Sequence, residues 1–261
     1  MIVFEADGVI GSSLVNTGAF QEEKVKEVVD FLISKYFFSP KVLIDIGANI
    51  GTHLVYGLKS GIFSRAIGVE ADPKNFRLLL CNAILNGLAS KSELHCVALS
   101  NKTGFLELEL SEGNFGDHRI RIDNYSSNFS FGEDLRKVVK VEAITLDGLM
   151  KTCNENLKNM LIWMDTQGHE GHIFNGAKRT FSGKDKPYIV TEFWPYGLER
   201  SGGKDYYFDM LSRCKLIFDI NKENWQNSSN VNISTLLDQY VHMLSNTTEL
   251  NHPHTDLLLI L

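Results

Sequence analysis

The stretch Lys41-Val-Leu-Ile-Asp-Ile-Gly-Ala-Asn-Ile-Gly51 restricts this chain more than any other. A short apolar run led in by a lysine and closed by glycines predicts a buried parallel strand that ends in a tight loop. Gly47 and Gly51, with Ala48 and Asn49 between them, let backbone N–H groups come close to a ligand where larger side chains would block it. Loops of this kind lie at the carboxyl edge of open α/β sheets, the edge on which those sheets bind ligands. The spacing is Gly-x-Asn-x-Gly, and Thr52 stands where a dinucleotide fingerprint has its third glycine, which argues against NAD. Asp45, just inside the strand end, suits a cationic or hydroxylated ligand better than a pyrophosphate. On these eleven residues alone, an ordinary strand-turn-helix corner explains the pattern equally well.

The next strand changes that balance. Arg65-Ala-Ile-Gly-Val-Glu-Ala-Asp-Pro73 is a second apolar run ending in Glu70 and Ala71, with Asp72 placed as a helix N-cap and Pro73 at the first helical position. An acid at the end of the second strand is where a nucleoside-binding α/β fold accepts hydrogen bonds from ribose hydroxyls. A loop flanked by Asp45, Glu70 and Asp72 repels pyrophosphate and suits a cationic nucleoside. S-adenosylmethionine has a sulfonium, an ammonium and a ribose, and carries no phosphate. Asp-Ile-Gly-Ala-Asn-Ile-Gly followed by Val-Glu-Ala-Asp-Pro-Lys-Asn-Phe resembles the FkbM family of S-adenosylmethionine-dependent methyltransferases. The resemblance implies an α/β class I methyltransferase fold: a Rossmann-like three-layer sandwich around a mostly parallel sheet, with an antiparallel insertion and edge. The cofactor would then lie against Asp45, Gly47, Ala48, Asn49, Gly51, Glu70, Ala71 and Asp165, with Ala98, at the end of the third strand, where such folds pack the adenine ring.

Length and composition agree with one globular unit, in which residues 1–40 form an N-terminal segment and helix and residues 41–261 the cofactor-binding domain. The net charge of −6 gives no electrostatic reason to expect nucleic acid, and the basic groups around His118–Arg121 and Arg136–Lys140 read as solvated faces. Cys81, Cys96, Cys153 and Cys214 have no metal-ligand spacing; Cys81 and Cys96 sit in apolar patterns and read as buried free thiols. The N-terminus lacks a signal-peptide layout and no apolar run approaches a membrane span, so a cytoplasmic protein is expected.

Along the chain, residues 1–16 read as an entry loop or short strands, and a helix follows from Thr17 to Tyr36. Helices are expected behind the glycine loop, His53 to Ser60, and behind Pro73 up to Gly87, then a third strand over Glu93–Leu99. Phe105–Leu110 alternates as a half-exposed antiparallel strand does. Residues 103–140, which include a polar stretch from Ser111 to Gly132, read as an insertion near the site mouth, either a lid or acceptor-binding element or plain edge structure. Core strands are predicted at Met160–Asp165, Pro187–Phe193, Lys215–Ile220 and Asp256–Leu261. A helix carrying Ile173, Phe174, Ala177 and Phe181 is expected between the first two, and further helices around Tyr207–Leu211 and Leu236–Leu244.

A second set of residues adds to the resemblance: Ala143-Ile-Thr-Leu-Asp-Gly, then Trp163-Met-Asp-Thr-Gln-Gly-His-Glu and Phe174-Asn-Gly-Ala, is similar to the family's second signature. Many members have a lysine where Trp163 stands, so any role of that lysine does not carry over; Trp163 is either an aromatic ligand wall or a core residue. Methyl transfer to oxygen needs an aligned acceptor and a base for its proton. Asp165, at a strand end on the glycine-loop edge, is the candidate for either task, with Glu192, ending the neighbouring strand, as the second carboxylate and His169 as a proton carrier. His169 and His172 otherwise read as solvated or capping groups, Glu170 as a first-turn helix acid, and His53 as facing either the methyl group or the helix start. Two strand-end carboxylates with a nearby histidine are too generic to place a metal, and none is assigned. The expected acceptor is a small molecule or glycan hydroxyl. An N- or lipid-precursor methyltransferase, or a cofactor-binding module without turnover, are the alternatives; the sequence leaves the oligomeric state open.

Overall fold

The computed structural model describes residues 1–122, 132–153, 155–248 and 251–261. The elements run in chain order as α1 Ile10–Thr17, α2 Glu22–Tyr36, β1 Val42–Ile46, α3 Thr52–Lys59, β2 Arg65–Val69, α4 Pro73–Leu85, β3 Ser92–His95, β4 Ala98–Leu99, β5 Gly104–Leu110 and β6 Arg119–Ile120. They continue as β7 Lys137–Ile144, α5 Leu146–Leu149, β8 Met160–Met164, α6 Glu170–Asn175, β9 Tyr188–Phe193, α7 Pro195–Ser201, α8 Lys204–Ser212, β10 Leu216–Asp219, α9 Ile233–Ser245 and β11 Thr255–Ile260.

Seven strands form one sheet in the order β10-β11-β9-β8-β1-β2-β3. β1 pairs in parallel with both β2 and β8, β2 with β3, and β8 with β9, whereas β11 is antiparallel to β9 and β10. Chain direction across the sheet reverses beside β1: β2 and β3 build outward on one side, β8 and β9 on the other. A crevice opens at such a switch point, outside the carboxyl ends of the strands. The period-2 alternation of β1 sorts its side chains between two cores. Val42, Ile44 and Ile46 pack with Ile173, Phe174, Tyr207 and Leu236 of the later helices, and Leu43 packs with Val25 and Phe31 of α2, Leu54 of α3 and Leu79 of α4. The result is the three-layer class I methyltransferase sandwich with a mostly parallel sheet, and α2 is part of its core. No helix among the described residues is long and apolar enough to cross a membrane.

β4, β7, β5 and β6 form a second, four-stranded sheet in which β5 runs antiparallel to β7 and β6. The alternation of Phe105–Leu110 is thus that of an antiparallel strand, as expected. The expected continuous third strand is broken, however: β3 ends at His95 in the large sheet, and Ala98–Leu99 crosses to pair in parallel with Ala143–Ile144 in the small one. The part of the polar stretch at 123–131 lies outside the described residues.

Four local expectations need correction. The entry segment contains a helix, α1, because the Asp7 carboxylate accepts from the backbone N–H groups of Val9 and Gly11 and so serves the free donors of the first turn. The helix after Asp165 is short; a Cβ on Gly176 would stand 2.1 Å from the Ser100 carbonyl oxygen, and the chain turns there, although Ala177 and Phe181 are still buried. Arg119 and Arg136 do not lie on solvated faces. Arg119 is paired with Asp117 and Glu133, Arg136 with Asp117, and both are largely buried. The four cysteines are free, but Cys81 is exposed, on the face of α4 opposite Leu79 and Ala83.

Candidate functional site

β1 delivers Asp45 to the sheet edge and then turns sharply. Gly47 and Gly51 have φ of +80° and +90°, and Asn49 also has a left-handed backbone at +49°. The glycines are required by protein contacts. A Cβ on Gly47 would meet the Asp165 carbonyl oxygen at 1.8 Å, and one on Gly51 would meet Leu79 Cδ1 at 2.6 Å. Gly51 therefore packs against α4 and does not line the cavity, contrary to the reading that placed it beside a ligand.

Above this turn lies a cavity that opens to solvent, with about 900 Å³ of empty space when the part continuous with solvent is counted. Of the residues expected around a cofactor, it is lined by Asp45, Gly47, Ala48, Asn49, Glu70, Ala71, Ala98 and Asp165. His169 also borders it, whereas Glu192 does not. No lysine or arginine is among the described residues that line it.

Glu70 is held at the end of β2 by two backbone donors, Asn49 N–H to Oε2 at 2.8 Å and Asp72 N–H to Oε1 at 2.7 Å. Its burial, opposed by these two bonds, pushes its pKa up to about 7. Asp72 caps α4 through Asn75 N–H at 2.9 Å, as the Asp-Pro pair predicted. Asp45 Oδ2 is buried and has no hydrogen-bond partner, and its Oδ1 lies 3.6 Å from His53 Nδ1. His53 also reaches Gln21 Oε1 at 3.1 Å and packs against Trp163 with ring centroids 4.8 Å apart and the planes tilted by 46°. Trp163 is thus both of the things expected of it, a buried core residue and a cavity wall.

The insertion covers the cavity. Phe115, Gly116 and His118 form part of its lining, and the Phe115 carbonyl accepts from Asn49 Nδ2 at 2.8 Å and Asn75 Nδ2 at 2.9 Å. Asn49 so joins three parts of the site: its N–H serves Glu70, its Oδ1 accepts from Ile50 N–H, and its amide holds the loop at Phe115. The sequence signals Asn75, three residues after the Asp72 cap, but nothing in it distinguishes Phe115 from other loop aromatics. Behind this loop, Arg200 on α7 binds Glu109 of β5 at 2.7 Å and Glu133 at 2.9 Å, and Tyr196 donates to Glu133 at 3.2 Å.

At the end of β8, Asp165 opens to the cavity and accepts from Gln167 Nε2 at 2.7 Å. Protein packed around the cavity floor desolvates the carboxyl and raises its pKa despite that opening. Glu170 lies in the first turn of α6, where its Oε1 accepts from Thr166 N–H at 2.7 Å and Thr166 Oγ1 at 2.9 Å. Its helix-start role is as expected, but it is wholly buried, and burial pushes its pKa to about 7. Glu192 is also buried, with its pKa raised by desolvation first and then by Asp165 and Glu170. His169 is buried and His172 half-buried, and each has a partner. His169 Nε2 is 2.9 Å from Ser100 Oγ, its ring stacks 4.6 Å from His172, and His172 Nε2 lies 2.8 Å from the Ser201 carbonyl. Burial lowers His169 to about 3, which leaves its imidazole neutral and a weak proton acceptor.

Among solved structures, a methyltransferase FkbM from Methylobacillus flagellatus is similar at 16% identity and a TM-score of 0.47, over 85% of this chain and 44% of that one. The geranyl diphosphate C-methyltransferase of Streptomyces coelicolor is similar at 9% identity and a TM-score of 0.43, over 97% of this chain and 84% of that one. This chain therefore spans less than half the length of the Methylobacillus protein. A search of curated proteins found no match. The sequence model of the Methyltransferase FkbM domain matches residues 45–214, from the acid of β1 to the end of α8 and more than half of the chain, and on that match the chain belongs to the FkbM methyltransferase family.

Proposed function

We propose that this protein is an S-adenosylmethionine-dependent O-methyltransferase acting on a hydroxyl of a small molecule or glycan, with residues 1–40 and 41–261 working as one unit. The observation that carries the reading is the charge of the cavity: Asp45, Glu70 and Asp165 border it and, among the described residues, no lysine or arginine does. Such a lining suits a cationic nucleoside and disfavours NAD or ATP, whose phosphates call for positive or N–H-rich cradles. Asp45 brings a buried oxygen that lacks a partner, and burying a carboxylate in that state is costly unless a ligand completes it.

In this reading Glu70 takes the ribose hydroxyls, Asp45 faces the cationic part of the cofactor, and Ala71, Val97 and Ala98 supply an apolar wall for its base. When bound, the cofactor supplies an electrophilic methyl group on sulfur. Asp165 accepts the acceptor's hydroxyl proton or aligns that hydroxyl, and its raised pKa brings it closer to the range of a general base. The lid loop at Phe115 excludes water while both substrates are held. The decisive experiment combines thermal shift with S-adenosylmethionine, S-adenosylhomocysteine, NAD and ATP and labelled-methyl transfer over a panel of sugars and cell extracts. Stabilisation by the first two ligands alone, with transfer to an oxygen, supports the reading; stabilisation by NAD alone overturns it.

A further inference from the structure

Asp165, Glu170 and Glu192 come from three different elements, yet each presents an oxygen within 4.8 Å of an oxygen of both others. Among the described residues, no lysine or arginine forms an ion pair with any of the three. Glu192 is 7% exposed and Glu170 is 0% exposed, and the Oε2 atom of each has no hydrogen-bond partner. The backbone and side chain of Thr166 fix the other oxygen of Glu170, so that its Oε2 is held in one direction. Three converging acids with two unanswered buried oxygens need a positive centre or protons.

We propose that Asp165, Glu170 and Glu192 form a site for a hard divalent cation of the magnesium or manganese class. The donor set is oxygen alone, which selects such ions over zinc or copper. The three oxygens lie within 4.8 Å of one another, and donors about 2.0–2.1 Å from a magnesium ion stand at most about 4.2 Å apart, so the carboxylates close by a few tenths of an ångström to share one centre. Three protein ligands leave coordination positions for water or an acceptor oxygen, and the cluster meets the cavity at Asp165. The site differs from the grouping weighed on the sequence, Asp165 and Glu192 with a histidine, in that its third group is Glu170. Only the ion's use in catalysis, polarising an acceptor hydroxyl and lowering its pKa, rests on the methyltransferase reading.

The test is titration of the chelator-treated full chain with Mn²⁺ followed by electron paramagnetic resonance, without cofactor or acceptor, alongside thermal shift with Mn²⁺ and Mg²⁺. Wild type is expected to bind a single Mn²⁺ and to melt at a higher temperature with it. Glu170→Gln and Glu192→Gln are each expected to weaken binding at least ~10-fold, whereas Glu107→Gln, at an exposed carboxylate of β5, leaves it unchanged. Far-ultraviolet circular dichroism establishes that each variant is folded, and Asp165→Asn stands in for one that is not. A wild type that binds no Mn²⁺ at millimolar concentration overturns the site and shows that protons fill it. Equal binding by wild type and the Gln variants overturns it too. Because the readout needs no methyl transfer, a chain that binds Mn²⁺ and methylates nothing loses only the enzymatic reading, and methylation that survives chelation in a chain that binds no Mn²⁺ removes only the metal.

Discussion

The Asp165 carbonyl oxygen occupies the space a Cβ would need at Gly47, 1.8 Å from its ideal position. Backbone contact, reinforced by Asp165 N–H donating to the Ile46 carbonyl at 3.0 Å, sets the floor of the cavity by locking the ends of β1 and β8 together. The two signature stretches of the sequence are therefore one structural object.

Gly47→Ala should accordingly destabilise the fold by more than strain alone. Left-handed backbone costs a non-glycine residue about 1–2 kcal/mol, and the clash with Asp165 adds to it. Gly61→Ala is the matched control: its φ is +75°, but no atom lies within 4 Å of its Cβ position. Urea unfolding of both variants separates the terms. Equal losses would mean that the Asp165 backbone moves aside freely.

The edge that carries the cavity was legible in the sequence because its determinants are short-range: an acid, two glycines, a second acid and an Asp-Pro cap, each within a few residues of a strand end. What could not be read depends on register between distant elements. Glu170 and Glu192 approach because β8, the start of α6 and the end of β9 converge, and nothing near Glu170 in the chain announces Glu192. The insertion has the same character. Arg119 and Arg200 look like surface cations in sequence and are buried because Glu109, Glu133 and Asp117 meet them from other strands and turns. The break in the third strand at Cys96-Val97 has no propensity signal, as both halves are apolar and only their partners differ.

Cofactor affinity should depend on pH through Glu70. Its carboxyl ionises at about 7 in the free protein, and ribose hydroxyls are best accepted by the charged form. Binding then releases a proton, so affinity rises with pH and levels off above the folded pKa. Between pH 8 and pH 6 the competent fraction falls from nearly all to roughly a tenth, which weakens apparent affinity about tenfold. Calorimetric titration across that range tests this, and Glu70→Gln should bind more weakly with no slope from this group. A flat wild-type profile would show that Glu70 does not contact the cofactor in its charged form.

Arg200→Met should destabilise the protein by up to about 3–5 kcal/mol, because it leaves Glu109, which is 0% exposed, with only the looser Arg121 guanidinium at 4.0 Å as a counter-charge. Adding Glu109→Leu should recover much of the loss by removing the stranded carboxylate. Denaturant melts of the two single variants and the double variant measure the coupling. Strict additivity would mean that the pair contributes nothing beyond its separate packing.

Asp165→Asn tests the catalytic reading most directly. The substitution keeps the shape of the side chain, and the backbone contacts to Gly47 and Ile46 are unaffected because they use main-chain atoms. General-base catalysis contributes ~10²–10⁴-fold, so single-turnover methyl transfer should slow by about that factor. Cofactor affinity should change far less, since Asp45, Glu70 and the turn between Gly47 and Asn49 are untouched. If Asp165 serves only to hold the following turn through Gln167, which donates to it at 2.7 Å, an asparagine Oδ1 accepts the same bond and turnover stays within a few-fold of wild type. The two outcomes are separated by rate and affinity measured on the same samples. A near-normal rate would remove Asp165 from proton transfer.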